Sequence, residues 1–278
     1  MIWTPMFWGR LITAIAFAAV AVWPGLAAAR EPIARFAAHT PGATMTVDHS
    51  AFASFLDAYL VEGEDGINRV RYGTVTAEDH QALKAYVAAL AATDVSALDR
   101  PEQFAFWANL YNALTLDVVL DAYPVRSIRS IRPGLFSIGP WGKDRVTVDG
   151  EALSLDDIEH NILRSHWQDN RVHYAVNCAS IGCPNLRAKP FTGATLEADL
   201  DDAARRYVTH PRGVAVEDGA VVASKIYRWY GEDFGGKDGT KLEHFRTFAG
   251  PDLLARLEGV TRIAGYRYDW DLNDADPR

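Results

Sequence analysis

The most constraining feature of the sequence is the segment from residue 101 to 122, which has the pattern of a helix that is apolar on nearly every side. Pro101 suits the first turn of a helix, because the N–H that proline lacks has no partner there. The large apolar side chains that follow it cover most of the circumference: Phe104, Phe106, Trp107, Leu110, Tyr111 and Leu114. A helix that is apolar all round is stable only when it is buried. The segment therefore predicts a central buried helix.

The rest of the chain predicts an α+β fold. Asp149-Gly150 and Asp218-Gly219 each stand between short apolar runs, the pattern of two tight β-hairpins. Residues 171–178 alternate apolar and polar side chains, as does the stretch from Tyr266 to Trp270, which indicates two further strands. Because helices and strands occupy separate stretches of chain, we expect the central helix to pack on a mainly antiparallel sheet.

The first 29 residues have the form of a secretory signal peptide. Arg10 is followed by the uncharged stretch Leu11 to Trp23, then a helix-breaking Pro-Gly pair and the small residues Ala27 to Ala29. The apolar stretch is shorter than the roughly 20 residues that a spanning helix needs, and signal peptidase cleaves after an A-x-A site. We expect cleavage before Arg30. The predicted product is a periplasmic or extracellular protein with one domain over residues 30–278 and no stable membrane span.

The net charge of the chain and its lack of metal-binding motifs restrict the kinds of molecule that it is expected to bind. The chain has a formal net charge of −8, and loss of Arg10 with the signal peptide makes it −9. This balance argues against nucleic acid, because binding to phosphates needs a dense positive surface. The sequence has no His-Glu-x-x-His motif and no paired-cysteine spacing typical of metal sites, so we expect neither a metal nor another cofactor. The expected ligand is a small molecule or a peptide.

Polar residues on the predicted central helix are candidates for a functional site. Glu102 and Asn109 are seven positions apart, which places them on one line of the helix, and Asn112 follows on a neighbouring line. A buried carboxylate is unfavourable unless it is paired, so Glu102 needs a partner. Arg164, Arg171 and His173 could each be that partner.

Cys178 and Cys183 are the only cysteines of the chain, and they allow two interpretations. In an oxidising compartment they could form a disulfide that closes a small loop. Alternatively, one of them is a nucleophile whose thiolate is favoured by a nearby imidazole, for which His173 is the candidate. On a regular strand His173 and Cys178 point to opposite faces, so Cys183, beyond the turn at Gly182, reaches the imidazole more freely.

Five motifs, in order, resemble those of one family. They are Phe106-Trp-Ala-Asn-Leu-Tyr-Asn-Ala-Leu, Asp157-Ile-Glu-His with Leu163-Arg164, Arg171-Val-His-Tyr-Ala-Val-Asn-Cys, Ser180-Ile-Gly-Cys-Pro and Tyr268-Asp-Trp-Asp-Leu-Asn. The chain therefore resembles the domain of unknown function 547 over residues 100 to 272. The resemblance implies no particular reaction, because the family has no agreed activity, but its bacterial members are often exported.

A more remote similarity links the chain to the papain and transglutaminase architecture. In those enzymes a buried helix presents the nucleophile, and later strands supply a histidine and an acid or amide. The predicted buried helix, His173 and Asp269 fit that outline. The predicted helix carries no cysteine, however, and offers Trp107 and Asn109 instead.

These observations lead to two hypotheses. In the first, the protein is a Cys/His-dependent hydrolase or acyl transferase of the cell envelope, and its catalytic residues meet in one cleft: Glu102, Asn109, His160, His173 and one of Cys178 and Cys183. The expected substrate-binding residues are Trp107, Asn112 and Arg171. In the second, the same residues form a buried polar network in a non-catalytic binding module braced by a Cys178–Cys183 disulfide.

Overall fold

The computed structural model describes residues 32–132, 134 and 137–276. The predicted signal peptide and its cleavage site lie outside these residues. The α-helices are α1 (Ser50–Tyr59), α2 (Ala77–Ala91), α3 (Arg100–Ala122), α4 (Arg164–Trp167), α5 (Val172–Ala175), α6 (Leu196–Thr209), α7 (Ile226–Trp229), α8 (Asp238–Phe248) and α9 (Pro251–Arg256). A π-helix, Asp157–Leu163, runs directly into α4. The strands are β1 (Leu60–Glu62), β2 (Asn68–Val70), β3 (Val146–Val148), β4 (Glu151–Leu153), β5 (Val214–Glu217), β6 (Ala220–Ser224) and β7 (Ile263–Arg267).

The predicted central helix is confirmed as α3. Asp99 caps it by accepting the backbone N–H of Glu102 at 3.1 Å, and Pro101 stands in its first turn. Trp107 is fully buried, as are the other large apolar side chains of its first turns. The main neighbours of α3 are α2, the 3₁₀ turn Gly193–Thr195, the π-helix and α6, so its apolar surface is covered largely by other helical segments. In the part of the chain that the structure describes, no helix has both the length and the apolar character needed to cross a membrane.

The α+β class is also confirmed, with small sheets. β3 pairs with β4, and β5 with β6, as the two predicted antiparallel hairpins. Both Asp-Gly turns have positive φ, for example 51° at Asp149 and 79° at Gly150, the left-handed conformation that a two-residue hairpin turn requires. β7 joins β6 in parallel. It ends at Arg267, so Tyr268 and Trp270 lie beyond the strand in which they were predicted.

The predicted strand over residues 171–178 is wrong. Val172–Ala175 is the one-turn helix α5, and the chain becomes extended only at Val176. The turn begins at Asp169, whose side chain accepts the N–H of Arg171 at 2.8 Å. The alternating pattern was misleading because its polar members, His173 and Asn177, are buried as well and find partners inside the protein.

Two apolar cores meet at α5. The larger core surrounds α1, α2 and α3 together with the π-helix, and the smaller lies between α6, α8 and the hairpin of β5 and β6. Val172 of α5 belongs to the first core and Tyr174 to the second. The candidate functional site lies at this junction.

Candidate functional site

A pocket of about 230 Å³ opens at the junction of the two cores. Four of the predicted site residues line it: Cys178, Cys183, His160 and His173. The rest of the lining consists mainly of the carboxylates of Asp156 and Glu159 and of six aromatic side chains. The structure therefore brings both thiols and two imidazoles to one cavity.

The two thiols are carried by residues 176–184, which we call the cysteine loop. The loop lies against the C-terminal segment, because the N–H of Gly182 donates to the carbonyl of Asp269 at 2.8 Å. A Cβ atom at Gly182 would lie 2.7 Å from that oxygen, so the contact requires glycine. Ala179 has a φ of 55°, and the resulting tight turn places the sulfur atoms of Cys178 and Cys183 3.1 Å apart as free thiols.

Cys178 is the more accessible and the more acidic of the two thiols. Besides Cys183, its Sγ has Ser180 Oγ at 3.2 Å and the Tyr268 hydroxyl at 3.1 Å. Hydrogen bonds from Cys183, Ser180 and Tyr268 stabilise the thiolate and lower the pKa of Cys178, although burial opposes them. Burial raises the pKa of Cys183 well above its ordinary value. Since the thiolate is the reactive form, Cys178 is the better nucleophile.

His173 is held in a fixed orientation beside the pocket. Its Nε2 lies 2.7 Å from Asp233 Oδ2, and Arg164 donates to the same carboxylate from Nε at 2.7 Å and Nη2 at 3.0 Å. The ring stacks on Tyr230 with 4.2 Å between ring centroids. Burial lowers the pKa of His173 against the opposing effect of Asp233. The imidazole is therefore neutral near pH 7 and able to accept a proton.

The π-helix supplies the acidic side of the pocket. π-Helices are rare and are frequently found at functional sites. Ser154 and Asp157 form a capping box at the start of the helical segment, in which the backbone N–H of each residue donates to the side chain of the other at 3.0 and 3.1 Å. Glu159 accepts a hydrogen bond from the Tyr111 hydroxyl at 3.1 Å, and its Oε1 lies 3.8 Å from His173 Nδ1. His160 follows it and packs on the ring of Tyr230.

Glu102 and Asn109, two of the predicted catalytic residues, are not among the residues that line this pocket. Glu102 accepts the backbone N–H groups of Val47 at 2.8 Å and Gly193 at 2.7 Å. Asn109 binds both the N–H and the carbonyl of Phe191, at 2.9 and 2.8 Å. Each therefore anchors a loop backbone, which is a common partner of buried polar side chains.

The three predicted substrate-binding residues also lie outside the pocket lining. Trp107 is buried in the larger core against Phe106. Arg171 forms ion pairs of 2.6 to 2.8 Å with three acidic residues, namely Asp169 just before α5 and Glu197 and Asp201 of α6. Asn112 bears on the site indirectly, as it donates to the Ala175 carbonyl at 2.9 Å and accepts the N–H of Asn177 at 2.8 Å. It thereby fixes the backbone between His173 and Cys178.

Several residues that shape the site were not among the predicted ones, among them Glu159, Tyr230, Asp233 and Tyr268. Glu159 and Tyr268 stand inside motifs that carry the family resemblance, so a sequence signal for them existed. Asp233 lies in the 3₁₀ turn Gly231–Phe234 and meets His173 only through the tertiary fold. No local pattern identifies such a partner.

One group of potential metal ligands lies away from the pocket. His80, Asp117 and Asp121 each offer a ligand atom, all within 4.8 Å of one another. The ammonium group of Lys84 already lies 2.5 Å from Asp117 and 2.9 Å from Asp121. Because this cation balances the carboxylates, the cluster gives no independent indication of a metal.

Comparison with protein families gives a match to part of the chain. The model of the family described as protein of unknown function, DUF547, matches residues 95–208, a range that includes α3, the π-helix, His173 and both cysteines. The resemblance seen in the sequence motifs is thus confirmed, although the closing motif at Tyr268 lies outside the matched range. No curated protein and no solved structure matches the chain. The similarity to papain and transglutaminase stays a prediction.

Proposed function

We propose that this protein, whose residues 95–208 match the model of the DUF547 family, is an exported Cys/His-dependent hydrolase or acyl transferase of the cell envelope. One observation carries the proposal: a thiol with a lowered pKa, Cys178, and a neutral buried imidazole, His173, line the same pocket. Activated nucleophiles are commonly built from such a pair, with a third group that orients the base. Asp233 is that third group.

The proposed reaction uses the pocket residues as follows. Cys178 Sγ attacks the carbonyl carbon of an ester or amide, and its proton passes to His173. The intermediate collapses to a thioester, and His173 returns the proton to the departing alcohol or amine. Water or another acceptor then attacks the thioester and restores the thiol of Cys178. Asp233 stabilises the imidazolium that forms in between, as the acid of a catalytic triad does.

The pocket lining favours a neutral or cationic acyl substrate. The lining combines aromatic rings with Asp156 and Glu159, and it includes no lysine or arginine among the residues that the structure describes. An anionic substrate would meet repulsion from these carboxylates, whereas aromatic faces bind apolar and cationic groups. A small molecule or a peptide with an acyl bond fits this chemistry. The proposed location, the periplasm or the extracellular space, rests on the signal-peptide pattern of the first 29 residues.

Trapping of an acyl-enzyme tests the proposal. The reduced protein is mixed with p-nitrophenyl acetate, and a burst of nitrophenol with an acetyl group on Cys178 is expected. Cys178→Ala should abolish the burst, and His173→Ala should slow acylation by about 10²- to 10⁴-fold, the range typical of general-base catalysis. His49→Ala is the matched control, since His49 is buried but lies outside the pocket lining. An acetylation rate that is the same in Cys178→Ala would refute the proposal.

The distance of 3.1 Å between the two sulfur atoms favours a second function. In an oxidising compartment the pair could close a disulfide and brace a non-catalytic binding module. A disulfide in so short a loop contributes only roughly 2 kcal/mol in chain-entropy terms. A count of free thiols in protein purified without reductant separates the two functions, because two thiols support the enzyme and none supports the brace.

A further inference from the structure

A second pocket of about 230 Å³ shares no lining residue with the first. It nevertheless contacts the cysteine loop through two of its own residues. Arg212 donates to the carbonyl of Ile181 at 2.9 Å, and the Tyr207 hydroxyl donates to the carbonyl of Gly182 at 2.7 Å. The second pocket thus contacts the loop that carries the proposed nucleophile, but it is separate from the pocket of the proposed active site.

Three residues that line this second pocket carry unsatisfied polar atoms. Within the described residues, Asn68 Oδ1, Arg187 Nε and Arg212 Nε are buried side-chain atoms that have no hydrogen-bond partner, and all three residues line the pocket. Buried polar atoms are nearly always paired, and an unpaired one is unfavourable by about 1–3 kcal/mol. The hydrogen-bonding capacity of these three residues is therefore incompletely used by the protein itself.

Among the described residues, Arg212 makes no ion pair, and the charge of Asp65 acts on it only at longer range. Its guanidinium donates only to neutral oxygens, the Ile181 carbonyl at 2.9 Å and Asn185 Oδ1 at 2.5 Å. The other arginines of the pocket differ, since Arg187 pairs with Asp199 at 2.5 Å and Arg206 with Asp202 at 3.0 Å. A half-buried cation without a direct ion pair is unfavourable, and burial accordingly lowers the pKa of Arg212.

We propose that this second pocket binds a small anion, such as a hydroxycarboxylate or a hydrogen phosphate. The anionic oxygens meet the guanidinium groups of Arg212 and Arg187, both of which line the pocket. Lys189, which is exposed where it lines the pocket, adds a positive charge. Guanidinium groups bind carboxylate and phosphate through charge-assisted hydrogen bonds, which are about twice as strong as neutral ones.

Titration of the whole protein with inorganic phosphate and, separately, with glycolate tests the proposal. The side-chain Nε–H resonances of Arg187 and Arg212 are followed by NMR at constant ionic strength, with sodium chloride as the reference salt. At least one of the two anions should shift both resonances to saturation, whereas chloride should not. The two arms distinguish a phosphate from a hydroxycarboxylate. Equal responses to all three salts, or no response to any, would mean that the pocket holds only water.

Variants make the test specific. Arg212→Gln should abolish saturable binding, and Lys189→Gln should weaken it by about 2- to 5-fold, the contribution of an exposed charge. Arg262→Gln is the control, because it removes the same charge from an exposed residue outside this pocket. Should Arg212→Gln fail to fold, the Lys189 variant and the wild-type titration still decide the matter. Binding that is unchanged in both pocket variants would overturn the proposal.

Discussion

Replacement of Asn112 by alanine gives a sharp test of how the site is built. Asn112 is buried on α3 and makes two hydrogen bonds to backbone groups of the segment between His173 and Cys178, at 2.9 Å to the Ala175 carbonyl and 2.8 Å from the Asn177 N–H. Alanine leaves both backbone groups buried without a partner. At about 1–3 kcal/mol for each of the two unsatisfied groups, the free energy of unfolding should fall by about 2–6 kcal/mol. Urea unfolding followed by tryptophan fluorescence measures this loss.

Asn109→Ala is a matched control for this prediction. Asn109 lies one turn earlier on α3 and also binds two backbone groups, both of Phe191, at 2.8 and 2.9 Å. The two variants should lose similar stability, but only Asn112→Ala should change the rate at which iodoacetamide alkylates Cys178. A loss of less than about 0.5 kcal/mol in Asn112→Ala, the range of neutral surface changes, would refute the reasoning. Equal alkylation rates in the two variants would show that Asn112 does not position the cysteine loop.

Four other predictions concern pH, charge and export. Burial lowers the pKa of His244 from 6.5 to about 4, so the unfolded chain binds the proton at a higher pH than the folded protein does. The free energy of unfolding should therefore fall by up to about 3 kcal/mol as the pH drops from 6.5 to about 4. Chemical unfolding at several pH values checks this, and constant stability would contradict it. Asp233→Asn leaves Arg164 without its carboxylate partner and should reduce stability by about 1.5–3 kcal/mol, the contribution of hydrogen bonds to charged groups. A change below about 0.5 kcal/mol in urea unfolding, the range of neutral surface changes, would contradict a stabilising ion pair. Glu102→Gln should weaken the fold by about 1–3 kcal/mol without altering Cys178 alkylation, because Glu102 lies outside the pocket lining; an altered alkylation rate would place Glu102 back in the site. N-terminal sequencing of the exported protein should begin at Arg30, and a chain that still begins at Met1 would contradict cleavage.

Helices and turns that are determined by residues close together in the sequence were predictable. The apolar circumference of residues 101 to 122 is a property of one segment, and it correctly predicted a buried helix, confirmed as Arg100–Ala122. Asp149-Gly150 and Asp218-Gly219 each specify a turn geometry by themselves, and both hairpins formed. Local chemistry fixes such elements because few other conformations satisfy it.

The composition of the pocket was only partly predictable. Cys178, Cys183, His160 and His173 were expected to converge, and all four line the pocket. Glu102 and Asn109 were expected beside them, but a buried polar side chain accepts whichever partner the fold brings near, and here those partners are backbone groups. The local conformation at His173 could not be derived from alternation, because that pattern assumes one solvent-facing side, whereas residues 172–177 are all buried.

The pH dependence of Cys178 alkylation is the most direct test of the central claim that Cys178 is the activated nucleophile of this pocket. Reduced protein is treated with iodoacetamide over a range of pH, and mass spectrometry locates the label. Cys178 should react first, with a midpoint below the pKa of about 8.5 of an unperturbed thiol, and Cys183 should remain largely unlabelled. In His173→Ala the rate near neutral pH should fall. A midpoint at or above that of a free thiol, or faster labelling of Cys183 than of Cys178, would contradict the account.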